Sequence, residues 1–350
     1  MSGPRLPRRA LLGGAASLLA ARAGTRDMDP TSGDLAIDEH TALLFSTEAP
    51  LTPERGKRDA RAVWCHVPPK PERSVLVYLH GNNNYVTVDD AGRSRVPDWA
   101  TTDAARAGAA AKQAVGLIYG LDRLESRETG KRPLVLVPEV AVLSQGSFWA
   151  REPISQYTDP QRLGLLVEDC ADRLARLHRP EGDAYLPHDF AVRKGKSRLE
   201  RVYFSGHSGA GLPLEEAARS ALLLPDTGVP ADLWLFDCTY WSKVDGFVEF
   251  CRRWHAAGRL GGGHRDHARF VCVYRPKTQT EEVADTLRGE IAKVLRVDAG
   301  SLVRDHSAGN LEAEIRPALR RAGVLFLRTP TPHDEIPTLF IPELLRTAAS

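Results

Sequence analysis

The order of apolar and amphipathic segments constrains the fold of this chain most strongly. Continuous apolar runs such as Ser74–Leu79, Pro133–Pro138 and Ala268–Tyr274 alternate with segments of helical apolar spacing, such as Leu163–Leu177 and Glu281–Leu295. A strand buried on both faces reads as a continuous apolar run, and alternation with helices favours a parallel sheet covered on both sides. The sequence therefore predicts an α/β fold: a doubly wound, mostly parallel sheet with helices on both faces.

Weaker runs complete this prediction. The further expected strands are Thr41–Ser46, Arg61–Val67, Arg201–Phe204, Leu233–Phe236 and Val324–Leu327, and the further helices are Thr102–Leu124, Leu214–Leu224, Val244–Trp254 and Ile336–Thr347. With 42% hydrophobic residues among 350, the chain can bury a sizeable core. We expect an export signal at residues 1–23, a linker at 24–38 and a single domain at 39–350.

The first 23 residues carry four arginines and no acidic residue. The pair Arg8-Arg9 precedes the apolar stretch Ala10–Ala21, and Ala21-Arg22-Ala23 offers the small-x-small pattern that a signal peptidase accepts. The stretch is shorter than the roughly 20 residues that a membrane-spanning helix needs. These features predict a twin-arginine export signal, a periplasmic or secreted location, and no membrane span after its removal. A disordered N-terminal tail is the alternative.

Charge and motifs exclude several classes of function. The 47 basic and 45 acidic residues nearly balance, so there is no electrostatic argument for a nucleic-acid partner. The glycine-rich segment 205–211 has neither G-K-[ST] nor G-x-G-x-x-G, which argues against a nucleotide site. His264, Asp266 and His267 precede a strand and are expected in a surface loop rather than at a metal. No metal or cofactor is predicted, and the five cysteines leave disulfide formation open.

The residues that follow the predicted strands carry the functional signal, because parallel sheets bind ligands at the carboxyl ends of their strands. Ser208 lies between Gly206 and Ala210, in a strand–turn–helix context. A nucleophile on such a turn requires small neighbours, and the following helix directs free N–H groups at the reacting centre. The pattern predicts a nucleophile elbow with Ser208 as nucleophile. A glycine-rich turn with an incidental serine is the alternative.

The order of His80-Gly81 after one strand, Ser208 after another, then Asp237 and a late His333 resembles the α/β-hydrolase superfamily over about residues 40–350. The resemblance implies that Ser208 attacks a carbonyl and that His333 is its general base. It implies Asp237 as the acid, with Glu281 or Glu282 as alternatives. The turn is expected to aim His207 away from the reacting face.

The same resemblance implies an oxyanion hole made by the backbone N–H groups of Gly209 and Asn82. Asn83 and Tyr240 are candidates for substrate binding, although the asparagine run could equally cap a turn. Aromatic residues are frequent in the loops expected around the site: Tyr85, Trp99, Phe148, Trp149, Tyr157, Tyr240 and Trp241. They predict a groove for a sugar, an aromatic ester or an envelope polymer. The alternative is that these aromatic residues only pack the loops against the domain. The expected function is cleavage of an ester or amide; a non-catalytic binding protein of the cell envelope is the alternative.

The export prediction can be tested in a bacterial host. Mass spectrometry of periplasmic protein is expected to find a mature N-terminus near Gly24. Replacing Arg8-Arg9 with Lys-Lys is expected to block export, because the twin-arginine route requires both arginines. An intact Met1 terminus in the cytoplasm would contradict the prediction, and unchanged export of the Lys-Lys variant would indicate the general secretory route.

Overall fold

The structure, a computed structural model, describes residues 34–36, 38–46, 61–79, 87–88, 94–95, 132–138, 162–180, 182–193, 196–240, 244–261, 264–306 and 311–349. The predicted export signal, the predicted helix Thr102–Leu124 and the segment that follows the strand ending at Leu79 up to residue 86 lie outside these residues.

Fourteen strands are present among the described residues. They are β1 Leu35–Ala36, β2 Thr41–Ser46, β3 Arg61–His66, β4 Pro71–Leu79, β5 Thr87–Val88, β6 Ser94–Arg95, β7 Arg132–Pro138, β8 Val192–Arg193, β9 Lys196–Ser197, β10 Arg201–His207, β11 Ala231–Phe236, β12 Arg269–Tyr274, β13 Val303–Asp305 and β14 Val324–Arg328. Ten of them form one sheet in the order β1-β2-β3-β7-β4-β10-β11-β12-β14-β13. Within this order, neighbouring strands are parallel from β7 through β4, β10, β11, β12 and β14 to β13. Strands β1, β2 and β3 add an antiparallel edge next to β7.

The helices are α1 Arg162–Arg176, α2 Gly211–Ala217, α3 Asp245–Ala256, α4 Gln279–Leu295, α5 Leu311–Ala322 and α6 Ile336–Ala349. Helices α1 to α4 bury their apolar residues against one face of the sheet, and α5 and α6 cover the other. Successive residues of β11 alternate between the two cores, since Leu233 and Leu235 join the first and Trp234 and Phe236 the second. This period-2 burial on both faces confirms the predicted doubly wound α/β class.

Several boundaries differ from the sequence-based prediction. Strand β10 continues three residues beyond Phe204, because Gly206 and His207 pair with Leu79 and Phe236 of its neighbours. Helix α2 ends at Ala217 instead of Leu224, and Ala221–Leu223 form a separate 3₁₀ turn whose Leu223 carbonyl accepts the buried indole N–H of Trp254 at 2.7 Å. Strand β13 and helix α5 were not predicted. Strand β1 lies within the predicted linker and pairs with β2.

Helix α2 makes the closest backbone contact around the site. A Cβ atom at Gly211 would lie 1.8 Å from the carbonyl oxygen of Cys238, which follows β11. Only glycine permits this approach, so α2 can pack directly over the end of β11. None of the helices among the described residues is long and apolar enough to cross a membrane.

Gly211→Ala is therefore expected to destabilise the protein by at least about 2 kcal/mol, since the new methyl group would meet backbone that cannot rotate away. Gly289→Ala in α4 is the matched control. A Cβ atom there meets nothing within 4 Å, and its stability is expected to stay equal or rise by up to about 1 kcal/mol. Urea unfolding measures both; equal losses in the two variants would contradict the prediction.

Candidate active site

Ser208 lies on a strained turn between β10 and α2. Residues Ser208–Ala210 form a single 3₁₀ turn that continues directly into α2, and Ser208 has φ of 54°. A side chain in this left-handed region costs about 1–3 kcal/mol, which the surrounding packing must offset. A Cβ atom at Gly206 would lie 3.2 Å from Leu214 Cδ2 and 3.3 Å from Ala210 Cβ. The turn thus requires the small residues that flank the serine.

His333 and Asp237 are hydrogen-bonded to each other. His333 begins the turn that precedes α6, and its Nδ1 lies 2.7 Å from Asp237 Oδ2. A carboxylate only accepts, so the ring proton resides on Nδ1 and the lone pair of Nε2 is free to accept another proton. Asp237 is buried and follows β11 directly, with φ of 44°. It does not cap the next helix, which begins at Asp245.

The two alternative acids, Glu281 and Glu282, lie away from His333. Glu281 accepts the backbone N–H of Lys277 at 2.7 Å and forms an ion pair with Arg328 at 3.4 Å. Glu282 is exposed on α4. Among the described residues, neither glutamate contacts His333, so Asp237 is the acid that the fold brings to the histidine.

Further donors surround the Asp237 carboxylate. Arg275 Nε donates to Oδ2 at 2.5 Å, the same oxygen that accepts from His333. Thr280 Oγ1 donates to Oδ1 at 2.5 Å, and the backbone N–H of Arg275 reaches Oδ1 at 3.4 Å. Burial opposes ionisation, but the hydrogen bonds from His333, Thr280 and Arg275 outweigh it and hold the pKa of Asp237 well below its usual range. Asp237 is therefore a permanent anion at neutral pH.

His207 is directed into the core beneath α6, where it contacts His333. Its ring is buried on the face covered by α6, 4.3 Å from the His333 ring between centroids, and its Nε2 lies 3.0 Å from the carbonyl oxygen of His333. The extended backbone of His207 continues the alternation of β10, which directs this side chain toward α6 rather than toward solvent. Burial, and next the charge of His333, lower the pKa of His207 to about 3.

Of the remaining predicted site residues, Gly209 and Tyr240 lie within the described part of the chain. Gly209 lies in the first turn after the strand, where N–H groups have no partner within the helix, and the Tyr240 ring lies 6.4 Å from that of His333. Asn82 and Asn83 lie outside the described residues. No hydrogen bond joins Ser208 Oγ to His333 in the described part of the chain.

A mostly parallel sheet therefore carries a strained serine at a strand-to-helix turn, an acid after the next strand and a histidine after a later strand. This combination of sheet order and turn resembles the arrangement expected of an α/β-hydrolase fold.

No family model and no curated protein matches the sequence. Among solved structures, a feruloyl esterase module from Clostridium thermocellum is 10% identical, with 92% of each chain covered and a TM-score of 0.43. Carboxyl esterase 2 from Tuber melanosporum is 11% identical, covers 99% of this chain and 100% of its own, and has a TM-score of 0.41. A putative thioesterase from Silicibacter is 11% identical, with 97% and 90% covered and a TM-score of 0.38.

Two residues that contact Asp237, Arg275 and Thr280, were not predicted as site residues. Arg275 follows β12 and Thr280 lies in the first turn of α4, so the rule that residues after parallel strands form the site covers both positions. A group of three or more side chains suited to a metal ion is not found among the described residues.

The buried His207 predicts a pH dependence of stability. Its pKa falls from about 6.5 in the unfolded chain to about 3 in the folded one, so below about pH 6.5 the unfolded state binds the extra proton. The contribution of the buried, neutral His207 to the free energy of unfolding is complete above about pH 6.5. It is lost as the pH falls below that value, at about 1.4 kcal/mol per pH unit. We expect His207→Gln to show a shallower loss of unfolding free energy between pH 6 and 4; an unchanged slope would contradict this.

Proposed function

We propose that this protein is an exported serine hydrolase that cleaves an ester or amide through Ser208, His333 and Asp237. The observation that carries the proposal is the 2.7 Å hydrogen bond from His333 to a buried, ionised Asp237, at the strand ends next to the strained turn of Ser208. Strained backbone and ionisable groups with perturbed pKa values tend to cluster at functional sites, and both occur here.

The chemistry follows from these positions. Ser208 Oγ attacks the carbonyl carbon while its proton passes to His333 Nε2, and the resulting imidazolium is stabilised by Asp237. The oxyanion accepts a hydrogen bond from the N–H of Gly209, and we propose Asn82 as the second donor. Collapse of the intermediate expels an alcohol or amine, which takes the proton from His333. Water then attacks the acyl-enzyme with His333 as base, releasing the acid and restoring Ser208.

Arg275 and Thr280 complete this arrangement by keeping the acid ionised. Thr280 donates to Oδ1 of Asp237, and Arg275 donates to Oδ2, the oxygen that also accepts from His333. Tyr240 lies edge-on to His333 and forms one side of the proposed substrate site, with Asn83 as a further candidate. The proposed substrate is a small molecule or an envelope polymer.

Export through the predicted N-terminal signal is part of the proposal. All five cysteines are free and buried in the structure. Buried free thiols agree with a route that carries already folded proteins, because such a protein does not depend on disulfide formation after export. The Lys-Lys substitution at Arg8-Arg9 tests this part separately from the chemistry.

The catalytic part is tested by covalent labelling. A fluorophosphonate probe is expected to react at Ser208, whose oxygen displaces fluoride, because only a serine with an adjacent base is nucleophilic enough at neutral pH. Ser208→Ala and His333→Ala are expected to abolish labelling, and Asp237→Asn to slow it by orders of magnitude.

Ser205→Ala is the matched control, since this buried serine lies on the same strand and donates only to the carbonyl of Val77 at 3.4 Å. It is expected to label at the wild-type rate. Labelling that persists in Ser208→Ala would overturn the assignment of the nucleophile. A wild type that fails to react with probes of several sizes would favour a non-catalytic binding protein.

A further inference from the structure

His207, the residue before the proposed nucleophile Ser208, contacts the proposed base His333. His207 is only 1% exposed, and it makes two different contacts with His333. Its Nε2 lies 3.0 Å from the backbone carbonyl oxygen of His333, and the two rings lie 4.3 Å apart at 37°. The end of β10 is thereby connected to the turn that begins α6.

The protons of His207 can be assigned from these contacts. A carbonyl oxygen only accepts, so Nε2 of His207 carries the proton and donates it. The other nitrogen, Nδ1, is buried and has no partner among the described residues. Leaving a buried acceptor unpaired is unfavourable, and a phenylalanine or leucine would fill similar space without that cost. Packing alone therefore does not account for a histidine here, whereas the N–H donated to His333 does.

Asp237 by itself leaves His333 a degree of freedom. One hydrogen bond at Nδ1 permits the imidazole to rotate about the Nδ1–Oδ2 direction and permits the turn at His333–Glu335 to shift. The bond to the His333 carbonyl fixes the backbone of that turn, and the adjacent His207 ring limits the rotation. Since His207 stays neutral, it also adds no charge next to His333 when that ring takes up the serine proton.

We propose that His207 is a positioning residue that holds the backbone and ring of His333 so that Nε2 faces Ser208. This inference rests on the proposed function, because it assigns His207 a purpose only if His333 acts as a base. His207 exchanges no proton with substrate or with His333 and is not itself catalytic.

Three variants separate the hydrogen bond from the packing. His207→Gln keeps an amide donor near the position of Nε2, His207→Phe keeps the ring without the donor, and His207→Leu covers the case in which phenylalanine does not fit. Tyr203→Phe is the matched control, because Tyr203 is a buried residue on the same strand and face, and its ring lies 5.1 Å from that of Trp234 at an angle of 38°. Thermal melts confirm that each variant is folded.

The readouts are fluorophosphonate labelling rates and the hydrolysis of p-nitrophenyl acetate. We expect His207→Phe and His207→Leu to lower kcat and the labelling rate about 10- to 100-fold with KM within about twofold, since misplacing a base affects the chemical step. His207→Gln is expected to recover to within about fivefold of wild type. Tyr203→Phe is expected to match wild type.

A folded His207→Phe or His207→Leu variant with wild-type rates would overturn the inference. A His207→Gln variant as slow as His207→Phe, or an effect on KM alone, would do the same. These outcomes differ from failure of the proposed function, in which the wild type itself would not label or would label independently of Ser208. A wild type that labels at Ser208, with all His207 variants unaffected, would leave the hydrolase proposal standing and remove only this inference.

Discussion

The buried carboxylate of Asp237 is the group on which the geometry of the site depends. A charge removed from water must be satisfied by donors, and these come from three separate parts of the chain. His333 approaches from the start of α6, Thr280 from the first turn of α4, and Arg275 from the end of β12. Because each donor must reach the same small group, Asp237 fixes the relative positions of these elements at the carboxyl edge of the sheet.

The strained backbone of the site is held in place by close packing. Ser208 and Asp237 both adopt positive φ at the ends of adjacent parallel strands, β10 and β11. The approach of Gly211 to the Cys238 carbonyl presses the first turn of α2 onto the residue after Asp237. This contact lies close in sequence to both strained residues and packs α2 against the end of β11.

At the amino ends of the strands, the sheet is attached to α6, the helix that follows His333. Asp232, buried in β11, forms ion pairs with Arg201 at 2.6 Å and Arg269 at 3.0 Å. Arg269 also donates to the carbonyl of Thr347 at 3.1 Å, near the end of α6. Helix α6 is therefore attached to the sheet at its far end by Arg269 and at its start by His207 and Asp237. This two-point attachment limits how far His333 can move from the turn at Ser208.

The sequence by itself determined the class of fold and the places where chemistry could occur. Continuous apolar runs such as Leu233–Phe236 identify buried parallel strands, and the residues after such strands included Ser208, Asp237 and His333. Local patterns suffice for these because burial and turn geometry depend on near neighbours in the chain. Only the tertiary structure decided that Asp237, and not Glu281, contacts His333. It also decided that Arg275 and Thr280 keep this carboxylate ionised and that His207 contacts His333. These contacts join residues 38 to 126 positions apart, and whether two such side chains meet depends on strand order and helix packing, which no local pattern encodes.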